Sequence, residues 1–349
     1  MRPGCSFVVA GSPAQLTGGY LYDARIAAGL RERGWRVATH GLEGRFPLPD
    51  GEARRAFADC LARHPDGACV VIDGLVLGGL PEVARAHASR LELVALVHHP
   101  LAQETGLDPA ARRAFARSER AALACVRRTV VTSAFTARQL AEYGVPAARI
   151  HVVEPGVDPA PLAAADHDPA RLLCVASLTP RKGHLALVEA LAALRSRAWS
   201  CTLVGSTERD PAHAARVIAA IAANDLSRRI ALTGERAPPL LREHYLGADL
   251  FVLPSLFEGY GMVVSEAVAH GLPVLATHGG ALAETLPAGA GVLVPPGDAA
   301  ALAGALQVLL QDVGARARLR EGARRARANL RDWQHAAGLF ADALATGPS

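Results

Sequence analysis

The stretch from Phe251 to Glu284, FVLPSLFEGYGMVVSEAVAHGLPVLATHGGALAE, constrains this chain more than any other. It opens as an apolar run that stops at Pro254-Ser255, passes through the Gly-rich loop Glu258-Gly259-Tyr260-Gly261, and continues as a helix-compatible segment from Met262 to His270. Gly271 and Pro273 end that helix, and Val274 to Ala276 read as a further strand. Strand, loop, helix and strand in this order make a βαβ unit with its loop at the carboxyl edge of a parallel sheet, where ligands bind. A Gly-rich loop feeding a helix amino terminus offers free N–H groups and the positive end of the helix dipole, a setting that favours phosphate. Two carboxylates flank it, Glu258 before the helix and Glu266 within it. Carboxylates repel phosphate, so they serve better as acceptors for hydroxyls beside it. A ligand with phosphates in the middle and polyols at both ends meets both demands, and a nucleotide-sugar is such a ligand.

The rest of the chain alternates strands and helices. Predicted strands are Ser6–Ala10, Trp35–Thr39, Ala68–Asp73, Leu91–Val97, Thr129–Thr132 and Ile150–Val153, with helices opening at Gly18-Gly19, Gly51, Pro109 and Ala134 between them. An Ala/Pro/Asp-rich segment, residues 158–169, breaks the period and reads as a linker. Alternation then restarts with strands Leu172–Ala176, Trp199–Val204, Ile230–Leu232 and Val292–Val294 around the stretch described above, and with helices Lys182–Leu194 and Pro211–Ala223. Strict alternation implies parallel doubly wound sheets, and 349 residues suffice for two such domains, expected over 1–160 and 169–328.

Composition narrows the function. A net charge of +4 and 5% aromatic residues argue against a nucleic-acid partner. The six cysteines form no C-x-x-C pair and read as reduced core residues of a cytoplasmic protein without structural zinc. No apolar run reaches membrane-spanning length, and the first apolar segment turns at Gly11 and Pro13, as a strand does rather than a signal peptide. Of 37 Lys plus Arg, one is lysine, Lys182, in the turn Thr179-Pro180-Arg181-Lys182-Gly183. Its compact ammonium is a different tool against phosphate from arginine's planar fork.

Glu258, seven residues, then Glu266, within EGYGMVVSEAVAHGLPV and followed by Gly279-Gly280 and Glu284, resembles the donor-site signature of retaining glycosyltransferases of the GT-B fold, family 4. The resemblance spans nearly the whole chain. It implies an α/β architecture of two doubly wound, Rossmann-like parallel-sheet domains facing a cleft, with a last helix over 329–345 crossing back to the first domain. It assigns Gly18 and Gly19 to close approach of the donor phosphate, His98 to the transferred sugar, and Lys182 to the phosphate. Glu258 is matched to the sugar hydroxyls, Glu266 to the ribose diol, and the N–H groups of Tyr260, Gly261 and Met262 to the phosphate. Gly234 and Glu235 resemble a base-contacting loop, Gly205 lines the same cleft, and Glu284 lies near the donor. Where the family has Gly-Arg, this chain has Ala176-Ser177, and Arg181 either supplies the missing guanidinium or the site has one cation fewer.

The resemblance implies front-face transfer from a nucleotide-diphosphate sugar, a UDP- or GDP-sugar, with the leaving diphosphate taking the acceptor's proton. Neither an inverting base nor a carboxylate nucleophile stands in the matched motifs. No D-x-D pair stands in a cleft loop, so neither a metal nor another cofactor is implied. The acceptor, a small molecule, glycan or lipid, is left open. The apolar segment Gly74–Leu80 has the character to hold a lipid tail, although such a segment more often packs into the core. The arginine-rich run Ala315–Arg327 has the charge for a peripheral membrane contact, with a solvated helix face as the simpler alternative. A nucleotide-sugar epimerase, a glycan phosphorylase and a non-catalytic nucleotide-sugar sensor are the competing functions.

Overall fold

The computed structural model describes residues 3–164 and 167–345, so residues 165–166 of the expected linker lie outside the described residues. The described residues build two parallel six-stranded sheets. The first takes β1 (Gly4–Ala10), β2 (Arg36–Leu42), β3 (Cys69–Asp73), β4 (Glu92–Val97), β5 (Arg128–Val131) and β6 (Ile150–Val152), in the order β2-β1-β3-β4-β5-β6. The second takes β7 (Ala170–Val175), β8 (Trp199–Val204), β9 (Ile230–Gly234), β10 (Leu250–Leu253), β11 (Val274–Thr277) and β12 (Gly291–Val294), in the order β12-β11-β10-β7-β8-β9. Each order reverses once, between β1 and β3 in the first sheet and between β7 and β10 in the second. In open α/β sheets that reversal leaves a crevice at the carboxyl ends of the two strands.

Central strands are apolar along their whole length because both faces are covered. Val70–Ile72 of β3, Leu93–Leu96 of β4 and all of β10 and β11 are buried, whereas edge strand β2 buries only Leu42. Several helices start at an acidic or hydroxyl cap: Asp50, Asp108, Ser133, Asp210, Asp298 and Asp312 each accept from an N–H two or three residues on. Such a cap contributes about 1 kcal/mol.

The chain forms two compact units, one running to Gly156 and resuming at Arg331, the other Val157–Leu330. In the first, helix Trp333–Ala345 lies on helix Gly18–Glu32. Phe340 stacks on Phe7 with ring centroids 5.7 Å apart, and Trp333 meets Tyr22 edge-on at 5.9 Å. Gly29 makes room for this contact: a Cβ there would sit 2.5 Å from that of Ala337.

Three readings are refined. Gly74–Leu77 is helical, opened by Asp73, whose carboxylate accepts from the Leu75 N–H at 2.7 Å. Val76, Leu77 and Leu80 are fully buried, so this segment fills the core of the first unit rather than waiting for a lipid tail. Lys182 lies in a 3-10 turn, Pro180–Lys182, and the following helix begins at His184, because Gly183 takes a left-handed φ of 70° that breaks the helical path. In helix Val313–Ala326, Arg316 and Arg320 are buried, and Arg316 donates to the Leu310 carbonyl at 3.1 Å, so part of the arginine run holds helices together and only the remainder is a solvated face. All six cysteines are free thiols, and among the described residues no helix is long and apolar enough to cross a membrane.

Truncating Phe340 to Ala should destabilise the first unit by about 3–5 kcal/mol, as removing a fully buried aromatic ring does. Urea denaturation would show this as an earlier transition. An unchanged midpoint would mean that the last helix contributes nothing to the first unit.

Candidate active site

In the second unit the loops after β7 and β10 meet at the reversal of strand order. Leu256 N–H donates to the Arg181 carbonyl at 2.7 Å, and a Cβ on Gly183 would lie 2.0 Å from the Pro254 carbonyl oxygen. Only a residue without a side chain lets the turn come this close. The β10 loop is also pinned from the β11 side. Glu258 and Gly280 form an isolated bridge, Ala281 N–H donates to the Glu258 carbonyl at 2.8 Å, and a Cβ on Gly280 would fall 2.2 Å from that oxygen.

This backbone holds a buried carboxylate among donors. Glu258 Oε1 accepts from Lys182 Nζ and from Ser255 Oγ, each at 2.6 Å. Arg181 Nη1 stands 3.4 Å from Oε2 and donates to the Phe257 carbonyl at 2.9 Å. Ser255 is fixed in turn, its carbonyl accepting from the Thr277 hydroxyl. Burial alone would raise the Glu258 pKa, but Lys182 and Arg181 outweigh it and bring the group from the ordinary 4.5 to about 2. Burial pulls Lys182 below an ordinary lysine, against the attraction of Glu258.

Helix Met262–Ala269 starts beside this cluster without a side-chain cap, from Gly261 at a φ of 94°. The helices at Gly18 and His184 also start without one. Uncapped amides at a helix start, beside a lysine and an arginine, suit an anionic ligand.

In the first unit His98 follows β4, next to the reversal between β1 and β3. Its Nε2 lies 3.1 Å from Asp23 Oδ1 and 3.5 Å from Asp73 Oδ2. Tyr22 packs edge-on against the ring at 5.4 Å. A Cβ on Gly19 would meet the ring Cδ2 at 3.1 Å, so the second glycine of the pair leaves space for this histidine.

Two family models match this chain, glycosyl transferases group 1 over residues 169–312 and glycosyltransferase family 4 over residues 70–161. It is 30% identical over 311 residues to the MMP alpha-(1->4)-mannosyltransferase of Mycolicibacterium hassiacum, covering 84% of this chain and 74% of that one. The chain belongs to glycosyltransferase family 4. This family-4 chain is also 33% identical over 186 residues to the amylovoran biosynthesis glycosyltransferase AmsK of Erwinia amylovora, covering 50% of this chain and 45% of that protein. With the D-inositol 3-phosphate glycosyltransferase of Nocardia farcinica it shares 33% identity over 278 residues, 74% of this chain and 58% of the other. It thus spans about half the length of the first curated relatives it matches. In three dimensions the GT-B fold is shared with sucrose-phosphate synthase from Thermosynechococcus elongatus (TM-score 0.83, 22% identity, 98% of each chain). It is shared too with HepE of Anabaena in complex with UDP-glucose (TM-score 0.78, 18% identity, 97% of this chain and 99% of that one).

The remaining sequence-named residues of this family-4 chain are spread more widely. Glu266 accepts from the buried Tyr245 hydroxyl at 2.7 Å. Tyr260 receives the Thr285 hydroxyl on its carbonyl at 2.6 Å, while Met262 is partly exposed at the helix start. Gly205 is glycine for a local reason: its Cβ would lie 1.9 Å from the Ala176 carbonyl. Gly234 has a φ of 73° in open space, and Glu235 and Glu284 are exposed. Asp23, Asp73, Ser255 and Tyr245 were not anticipated. Asp23 lies four residues after Gly19, one helical turn on, and Asp73 ends an apolar strand, signals that point to the same edge.

Replacing Glu258 by Gln leaves two cations beside a neutral group and should cost about 3 kcal/mol at pH 7. A carboxylate whose folded pKa is depressed stabilises above its unfolded value and loses that contribution as it protonates. The gap between native and variant should therefore narrow as pH falls from 4.5 towards about 2. Denaturation curves across that range check it, and a gap independent of pH would contradict the ionised pair.

Proposed function

We propose that this chain transfers a glycosyl group from a nucleotide-diphosphate sugar, a UDP- or GDP-sugar, to an acceptor hydroxyl with retention of configuration. The observation that carries the reading is the shared Lys182–Glu258–Arg181 cluster beside the uncapped start of helix Met262–Ala269. In the transfer, the bond between the anomeric carbon and the leaving phosphate oxygen breaks. The acceptor oxygen bonds to the same face of that carbon and its proton passes to the leaving diphosphate. Negative charge grows on the diphosphate, and preorganised cations and amides reduce the cost of that charge most. Lys182, Arg181 and the N–H groups at the Met262 helix are assigned to this task.

Glu258 has two parts in this reading. It keeps both cations close together before a ligand arrives, and its carboxylate accepts from sugar hydroxyls when one is bound. Glu266 is assigned to the ribose diol, and His98 of the first unit to the transferred sugar. Because lysine, arginine and amides meet the charge, the reading requires neither a metal ion nor an organic cofactor. HepE, a structural neighbour, was captured with UDP-glucose, and several relatives carry names of sugar transferases, which supports the donor class. Free thiols and a nucleotide-sugar substrate fit a cytoplasmic setting.

A panel of UDP-, GDP- and ADP-sugars read by thermal shift should single out one nucleotide, since ligand at a hundred times its Kd stabilises the native state by about 2.7 kcal/mol. With that donor, Lys182→Ala should lower turnover about 10²- to 10³-fold, as loss of one preorganised donor does. Near-native turnover in the variant would remove the lysine from the mechanism, and no shift with any donor would remove the function.

A further inference from the structure

The first unit places two carboxylates on one ring nitrogen. Asp23 comes from the helix after β1, Asp73 from the end of β3, and His98 from the loop after β4, so three elements converge at one sheet edge. Both aspartates are buried and the His98 side chain is 19% exposed. Nε2 faces both carboxylates, and among the described residues no hydrogen bond is made to Nδ1. The ring cannot turn freely, because Tyr22 covers it edge-on, Gly19 lies against its Cδ2 edge, and Thr132 Oγ1 donates to the His98 carbonyl at 3.3 Å. The Tyr22 hydroxyl is itself committed to the Val153 carbonyl at 2.9 Å.

We propose that Asp23 is a positioning residue for glycosyl transfer: its carboxylate engages His98 through Nε2–H, so that the ring presents its Nδ1 edge to the ligand as a charged hydrogen-bond donor. This rests on the assignment of His98 to the sugar. It goes beyond it by fixing the charge of the ring, the nitrogen that faces the ligand and the group responsible. The charged groups facing the ring are Asp23 on its helix and Asp73 at the strand end; the neighbouring His99 is paired with Glu104. Burial favours the neutral imidazole, and the two carboxylates outweigh it, holding His98 above its ordinary 6.5. Burial also raises Asp73 to about 6, while Asp73 is additionally engaged in opening the helix at Leu75. Asp23 makes the closer contact with the ring. The three ligand atoms lie within 4.8 Å of one another, a spacing that also suits a divalent cation, but a proton on Nε2 satisfies both carboxylates without one.

A donor held at the sugar suits an oxygen lone pair there, a hydroxyl or a phosphate oxygen, and is lost when the ring deprotonates. Nitrogen-15 histidine NMR of the free protein, with His98→Gln for assignment, reads the ring directly. His98 should titrate above 6.5 in the native protein, and in Asp23→Asn the midpoint should fall while Asp23→Glu recovers part of the shift. Preserved dispersion of the other histidine signals shows that the variant is folded, and Asp73→Asn supplies a second variant with the same expected direction. Equal midpoints in native protein and Asp23→Asn would overturn the inference, as would broadening of His98 by micromolar Mn²⁺, which would make the cluster a metal site. The alkaline limb of kcat/KM should move with the NMR midpoint. If the ring shifts and the limb does not, the assignment of His98 to the sugar fails while the Asp23–His98 coupling stands.

Discussion

A carboxylate taken out of water has to find compensation nearby, and in the second unit that requirement falls on Glu258. Left alone, a buried carboxylate would take up a proton. Lys182, Arg181 and Ser255 keep it ionised instead, and they do so only because two loops run against each other at van der Waals distance. Gly183 allows that approach, and Gly279 and Gly280 let the loop after β11 close on the same segment, each with backbone where its Cβ would be. The electrostatics and the loop packing are therefore one constraint: open the loops and the charges lose their partners, neutralise the charge and the loops lose their reason to stay close.

The sheet topology explains why this happens where it does. β7 and β10 are neighbours in space but far apart in sequence, so the loops that follow them meet at the point where the strand order reverses. The crevice between them is where backbone amides and side chains from two loops can converge on one ligand. The first sheet repeats the logic with inverted charge, two carboxylates around one imidazole at the edge near β1, β3 and β4. In both units the residues that converge come from the carboxyl ends of the strands and the loops and helices that follow them, while the central strands beneath are apolar runs that hold them still.

Much of the architecture was legible because strand and helix periods are written in the apolar pattern. β4, β8 and the helix at Pro211 fall within a residue or so of their expected limits. Lys182 and Glu258 stood out by composition and motif. What could not be read was which polar residues turn inward. Asp23 shares the helix face of Ile26 and Leu30, but a lone carboxylate on such a face has no partner in the sequence to announce it, and Asp73 looks like any strand-terminal aspartate until His98 is seen beside it. Nor does the sequence distinguish Gly205, which is glycine because Ala176 crowds it, from Gly261, whose positive φ starts a helix. The helix at Gly74 escaped notice because four residues are too few to show a period, and a cap such as Asp73 is recognisable only when its N–H partner is in place.

The most direct test of the cluster is a double-mutant cycle on folding stability at pH 7, with Glu258→Gln, Lys182→Met and the two combined. If carboxylate and ammonium depend on each other, the double variant should be more stable than the sum of the single losses by about 1 kcal/mol or more, because removing both partners leaves neither charge stranded. Losses that add to within about 0.3–0.5 kcal/mol would show that the two groups stand side by side without acting on each other, and would contradict the account.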